Sequence, residues 1–188
     1  MRKVFSFDAE TDGLWGNPFA VAAIVYTHYP AMDRGVDGKR PERWEKTAQF
    51  FACLPLENIK NDFAVKEVVP ALAKIRTTHE TYKEMLKSFS LFYMQHKEGS
   101  ECIAHMGYIV EAHLLREMHR LGFIGDFDAP YPLYDVSGNL QAAGEDATSV
   151  DDYAKKHGIC TSEYGSTHNP LYDCAVAAEV YIHLTKTQ

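Results

Sequence analysis

The stretch SFDAETDGLW, residues 6–15, constrains this chain more than any other. It begins as a strand and then carries Asp8, Glu10 and Asp12 into a glycine turn. Lys3 to Phe7 is aromatic and β-branched, the composition of a buried strand. Side chains alternate along a strand, so Asp8 and Glu10 project to the same side. From Asp8 onward the segment cannot serve as apolar core, and its acids need solvent or a cation.

The chain has 188 residues, 46% of them hydrophobic, which suits a single domain spanning 1–188 with a sizeable core. The basic start Met1-Arg2-Lys3 is followed by too short an apolar run for a signal peptide. The uncharged stretch from Leu14 to Met32 is interrupted by Gly16, Asn17, Pro18 and Pro30, so no membrane span is expected. A cytoplasmic location follows as the expectation. Cys53, Cys102, Cys160 and Cys174 are scattered with no CxxC pair and read as small core residues, not a disulfide framework or zinc site. A formal net charge of −7 argues against a long-duplex binder. It argues only weakly against an enzyme that grips one chain end, because bound divalent cations offset acids and attract phosphate.

Three strands are expected first, over Lys3–Phe7, Phe19–Thr27 and Thr47–Cys53. Residues 30–45, rich in Pro, Gly and charge, read as a loop or extended hairpin that carries Lys39, Arg40, Arg43 and Trp44. That basic cluster interleaves with Glu42 and Glu45, so a solvated loop and a substrate arm both fit. Tyr82, Met85, Leu86, Phe89 and Tyr93 fall at helical spacing. A short strand "ECIAH" precedes a helix over Val110–Leu121 stopped by Gly122. Residues 130–144 read as a short strand turning into a helix. Thr148 and Ser149 cap another helix, and the last opens with Asn169 as cap and Pro170 at its first position. Strands followed by alternating helices and strands predict a mixed α/β sheet covered by helices.

Two further acids stand on inward faces. Glu111 lies three and four residues ahead of Leu114 and Leu115, on the apolar stripe of its helix. Asp173 precedes Val176 and Ala177 in the same way. Burying each carboxylate without a countercharge costs on the order of several kcal/mol, and no Lys or Arg nearby is an obvious partner. Four carboxylates from one strand and two helices form a set suited to Mg²⁺ or Mn²⁺ if they converge. Two such ions can stabilise the attacking and leaving oxygens of a phosphodiester displacement. His168, in the loop before Asp173, can act as a base at neutral pH. By contrast His113 and Glu117, four apart, read as a solvated helix pair.

"FDAETDG", "VEAHLLREMHRLG" and "HNPLYDCAVAA" together resemble, in order, the three motifs of the DEDDh 3′–5′ exonucleases, which include ribonuclease T, oligoribonuclease and proofreading domains. "NDFAVKEVVPAL" is similar to a small bacterial and phage branch. The second motif departs: Val110 and Glu111 occupy the places of the usual Phe-Asp, and Gly107 that of an Asn. The resemblance implies a ribonuclease H-like, five-stranded mixed sheet flanked by helices. It also implies two Mg²⁺ or Mn²⁺ ions and release of nucleoside 5′-monophosphates from the 3′ ends of single-stranded RNA or DNA. By position, Asp8 would bridge both ions, Glu10 and Asp173 would bind one, Glu111 would support the second, and His168 would be the general base. Thr11, Asp12, Gly13, Leu14 and Trp15 would surround the terminal nucleotide, and a homodimer is compatible with the family. Trp15, Phe19 or Trp44 could stack a base or simply pack. The alternatives are a degenerate module that binds nucleic-acid ends or a protein without cleavage, and another ribonuclease H-like enzyme that cuts internally.

Overall fold

β1 spans Lys3–Thr11 and holds the centre of a five-stranded sheet. The computed structural model describes residues 1–33, 39–159 and 164–186. β2 (Pro18–Tyr29) pairs antiparallel with β1 through the register Asp8↔Ala22 and Lys3↔Thr27. A two-stranded hairpin, β3 (Met32–Asp33) and β4 (Lys39–Arg40), follows. β5 (Arg43–Cys53) runs antiparallel along β2 as the outer strand. β6 (Ser100–Ala104) and β7 (Tyr134–Asp135) extend the other side in parallel, giving the order β5-β2-β1-β6-β7.

Alternation along β1 divides the core between two helical layers. Phe5, Phe7 and Ala9 pack with Met85, Phe89 and Tyr93 of α2 (Tyr82–His96) and with Leu114 and Met118 of α3 (Val110–Arg120). Val4 points the other way, into a cluster with α4 (Val136–Ala142), α5 (Val150–Lys156) and α6 (Pro170–Lys186). α6 packs closely because both surfaces are small: Ala175, Ala177 and Ala178 are buried with Ala22, and Cys174 Sγ lies 3.3 Å from the Ala22 carbonyl oxygen. Caps fall where the sequence places them. Ser149 accepts from Asp152 N at 3.1 Å, and Asn169 Oδ1 accepts from Leu171 N at 3.1 Å. Between β5 and α2 a one-turn helix (Leu56–Asn58), a π-turn (Ala64–Val68) and the short α1 (Val69–Leu72) form a third cluster with Phe19, Ala20 and Cys53.

Several expectations change. The hairpin alternative for residues 30–45 is met by β3 and β4, but Trp44 lies beyond it in β5, which begins at Arg43 and pairs His28↔Trp44. The first residues of β5 read as polar because they are exposed or only half-buried on an outer strand. Glu117 is buried and held by two hydrogen bonds from Arg120, and His113 Nδ1 meets Arg116 Nη2 at 2.8 Å; His113 still acts on Glu117 electrostatically, so the expected helix pair is buried at its Glu117 end rather than solvated. Cys53, Cys102 and Cys174 are buried free thiols, as expected, and Cys160 lies outside the described residues. No helix among the described residues is long and apolar enough to cross a membrane.

Candidate active site

Asp8 and Glu10 project from β1 toward the α6 layer, at the strand end that runs past β6. Asp173 comes from the first turn of α6 to meet them. One carboxylate oxygen of each lies within 4.8 Å of the others. The three open on a cleft of about 400 Å³ whose wall also carries Leu14, Glu111, Asp151 and His168. Among the described residues that line it there is no lysine or arginine.

This arrangement opposes ionisation. Burial pushes Asp8 up to about 7. Burial, then the Asp8 charge, pushes Glu10 up to about 9. Burial, then Asp8, Glu10 and Asp151, pushes Asp173 up to about 10. Three carboxylates in mutual reach cannot all stay ionised without an external cation; in its absence some of them hold protons. An all-oxygen donor set of this kind fits a hard divalent cation.

Glu111 stands beside this group but is not one of the three. Its side chain is enclosed, the residue being 3% exposed, and Oε1 accepts from the Ala9 backbone N–H at 3.1 Å. A buried N–H left without a partner costs about 1–3 kcal/mol, so this bond satisfies a real demand. Burial, then the Asp8 charge, raises the Glu111 carboxyl well above its ordinary range.

His168 lines the cleft from the loop ahead of α6 with a positive φ of 67°, and its ring meets Phe63 edge-on at a centroid distance of 5.5 Å. A left-handed non-glycine residue is strained, which is common at functional positions. Phe63 belongs to the segment after β5 and is 59% exposed. With Leu14, 57% exposed, it walls an adjoining pocket that shares Glu10 with the cleft and also touches Thr11 and Gly13.

The other predicted residues divide. Asp12 Oδ1 accepts from Lys60 N at 3.0 Å and Asn61 N at 2.7 Å, so this acid ties the turn after β1 to the Phe63 segment. Gly13 has φ 81°, and a Cβ there would lie 2.8 Å from Asn61 Nδ2, so glycine is required for that approach. Trp15 is 73% exposed. Phe19 is buried in the core and cannot stack a base. Trp44 lies six positions along β2 from the level of Asp8, about 20 Å away at strand spacing, so it is remote from the acids. Arg43 shares that far end, paired with Glu45 and over the Tyr29 ring. The Lys39 side chain lies outside the described residues. Phe63 and Asp151 escaped sequence reasoning. Phe63 sits in a segment without clear periodicity, and Asp151 resembles an ordinary first-turn acid.

No protein-family model and no curated protein matches the chain. Among solved structures it is similar to the nuclease domain of 3′hExo, a DEDDh family member, bound to rAMP. That match has a TM-score of 0.61 at 12% identity and covers 98% of this chain and 91% of the other. The chain therefore has the ribonuclease H-like fold of a DEDDh nuclease domain.

Proposed function

We propose that the chain is a divalent-cation-dependent 3′–5′ exonuclease, acting as one domain in the cytoplasm on single-stranded ends or short oligonucleotides. The observation that carries this reading is the convergence of Asp8, Glu10 and Asp173 beside His168, without a built-in countercharge. These three carboxylates would hold two Mg²⁺ or Mn²⁺ ions, which when bound stabilise the attacking and leaving oxygens of a phosphodiester displacement. His168 takes a proton from the attacking water. The water oxygen bonds to the phosphorus, the bond to the 3′-oxygen of the preceding nucleotide breaks, that oxygen takes a proton from solvent water as the nucleoside 5′-monophosphate leaves, and His168 returns its proton to solvent. Leu14 and Phe63 offer apolar surface beside Glu10 for the terminal base. A ribonucleotide monophosphate bound to the similar domain has the chemistry of such a product.

The test uses matched single-stranded RNA and DNA labelled at the 5′ end, with Mg²⁺, Mn²⁺ or EDTA, and Asp8→Ala as control. A ladder shortening from the 3′ end only with cation, absent in the variant, is expected and reveals the preferred sugar. No degradation of any substrate would refute the activity, and cuts in a circular substrate would indicate an endonuclease.

A further inference from the structure

The pairing of β1 with β6 runs from Lys3↔Ser100 to Ser6↔Ile103, and β6 ends at Ala104. β1 continues to Thr11, so Asp8, Ala9 and Glu10 extend past the last residue pair on that edge. On the opposite edge they stay matched to Ala22, Val21 and Ala20. The Ala9 N–H meets Glu111 Oε1 where a further β6 residue would otherwise lie. Glu111 reaches it from the α3 layer, the opposite side of the sheet from α6, while still lining the cleft beside Asp8 and Glu10. Its helix packs Leu114, Leu115 and Met118 with Phe5, Phe7 and Ala9, whereas Asp8 and Glu10 turn toward α6. Its second oxygen lies beside the turn before α3: a Cβ on Gly107 would stand 3.5 Å from Oε2 and 2.6 Å from the Ala104 Cβ. That turn closes on the carboxylate because residue 107 has no side chain. Among the described residues, the close carboxylate group consists of Asp8, Glu10 and Asp173 alone.

We propose that Glu111 is a positioning residue: its carboxylate replaces the missing strand neighbour of Ala9 and fixes the backbone that aims Asp8 and Glu10, without itself binding a cation. The cation part of this inference rests on the proposed nuclease reading; the anchoring part does not. A glutamine is nearly isosteric and keeps an oxygen acceptor for the Ala9 N–H, whereas alanine removes it.

The experiment compares wild type, Glu111→Gln and Glu111→Ala by Mn²⁺ titration calorimetry and by amide hydrogen exchange at Ala9. In the glutamine variant the number of Mn²⁺ equivalents is unchanged, the affinity stays within about threefold, and Ala9 remains protected, as expected when an acceptor is kept. In the alanine variant Ala9 exchanges about tenfold faster, the order of one lost net hydrogen bond, and Mn²⁺ binding weakens in parallel. A glutamine variant that loses a cation equivalent while Ala9 stays protected would make Glu111 a ligand and overturn the proposal. Unchanged Ala9 exchange in the alanine variant would overturn the anchor. If the alanine variant does not fold, the glutamine variant alone still decides between ligand and anchor. A wild type that binds no Mn²⁺ refutes the nuclease reading, while exchange at Ala9 still tests the anchor.

Discussion

The two ends of the sheet enclose carboxylates in opposite ways. At the end where β1 begins, Glu101 receives Arg2 Nε at 2.7 Å and Nη2 at 2.8 Å, with Tyr181 Oη donating at 2.9 Å. Burial alone would raise this carboxyl, but the hydrogen bonds from Arg2 and Tyr181 outweigh it and hold Glu101 below its ordinary range. At the other end Asp8, Glu10 and Asp173 are pushed up to about 7, 9 and 10, and no lysine or arginine lines their cleft among the described residues. The first arrangement is complete within the protein and serves structure. The second is incomplete until something positive arrives.

The comparison breaks most visibly if mutations at the two ends act alike. Asp8→Ala is expected to lower 3′-end hydrolysis on the order of a thousandfold or more, because transition-state charge loses its support. Arg2→Ala should leave the rate alone and instead cost about 1–2 kcal/mol of stability, a broken ion pair discounted for the solvent that reaches both partners. Steady-state kinetics and thermal melts on the two variants separate these outcomes. Loss of activity in the Arg2 variant at full folding would undo the distinction.

His168→Ala should reduce kcat by about a hundredfold or more, the range of general base catalysis, with Mn²⁺ affinity retained. Calorimetry alongside kinetics checks the split; a fully active variant removes His168 from the mechanism. Phe63→Ala is expected to weaken substrate by about tenfold through KM, consistent with one lost base contact. An unchanged KM on dinucleotides would place the terminal base elsewhere.

The smallest effect is on pH-dependent stability. Because the folded-state values of Asp8, Glu10 and Asp173 lie above the ordinary carboxylate range, their contribution is fully present only below that range, about pH 4, and is lost progressively as pH rises from there through about 7 to 10. The cation-free protein should therefore melt on the order of 5 °C lower at pH 9 than at pH 5, and added Mg²⁺ should recover much of that loss. Melting curves that rise with pH without cation would contradict the sign.

The acid end was legible in the sequence because its anomaly is local. Asp8 and Glu10 alternate on a strand and Asp173 breaks an apolar helix face, so periodicity flags them, and their occurrence together in the order of the resembled motifs marks them as a set. Helix starts at Ser149 and Asn169 were equally readable from cap chemistry. Features that depend on where strands end were not. Glu111 stood out on its helix stripe as an inward acid, but only the early end of β6 reveals the Ala9 N–H that it meets. Trp44 looked like a candidate stacking platform, and only the His28↔Trp44 register carries it to the far end. Phe63 comes to the pocket adjoining the cleft, against the His168 ring, because Asp12 fastens its segment to the turn after β1, a contact between residues far apart in the chain.

Equilibrium Mn²⁺ binding measures directly whether the uncompensated carboxylates await a cation. Calorimetric titration of the cation-free wild type and Asp8→Ala at pH 8 should show saturable binding in the first and its loss in the second. Equal binding in both proteins, or none in the wild type, would contradict the account.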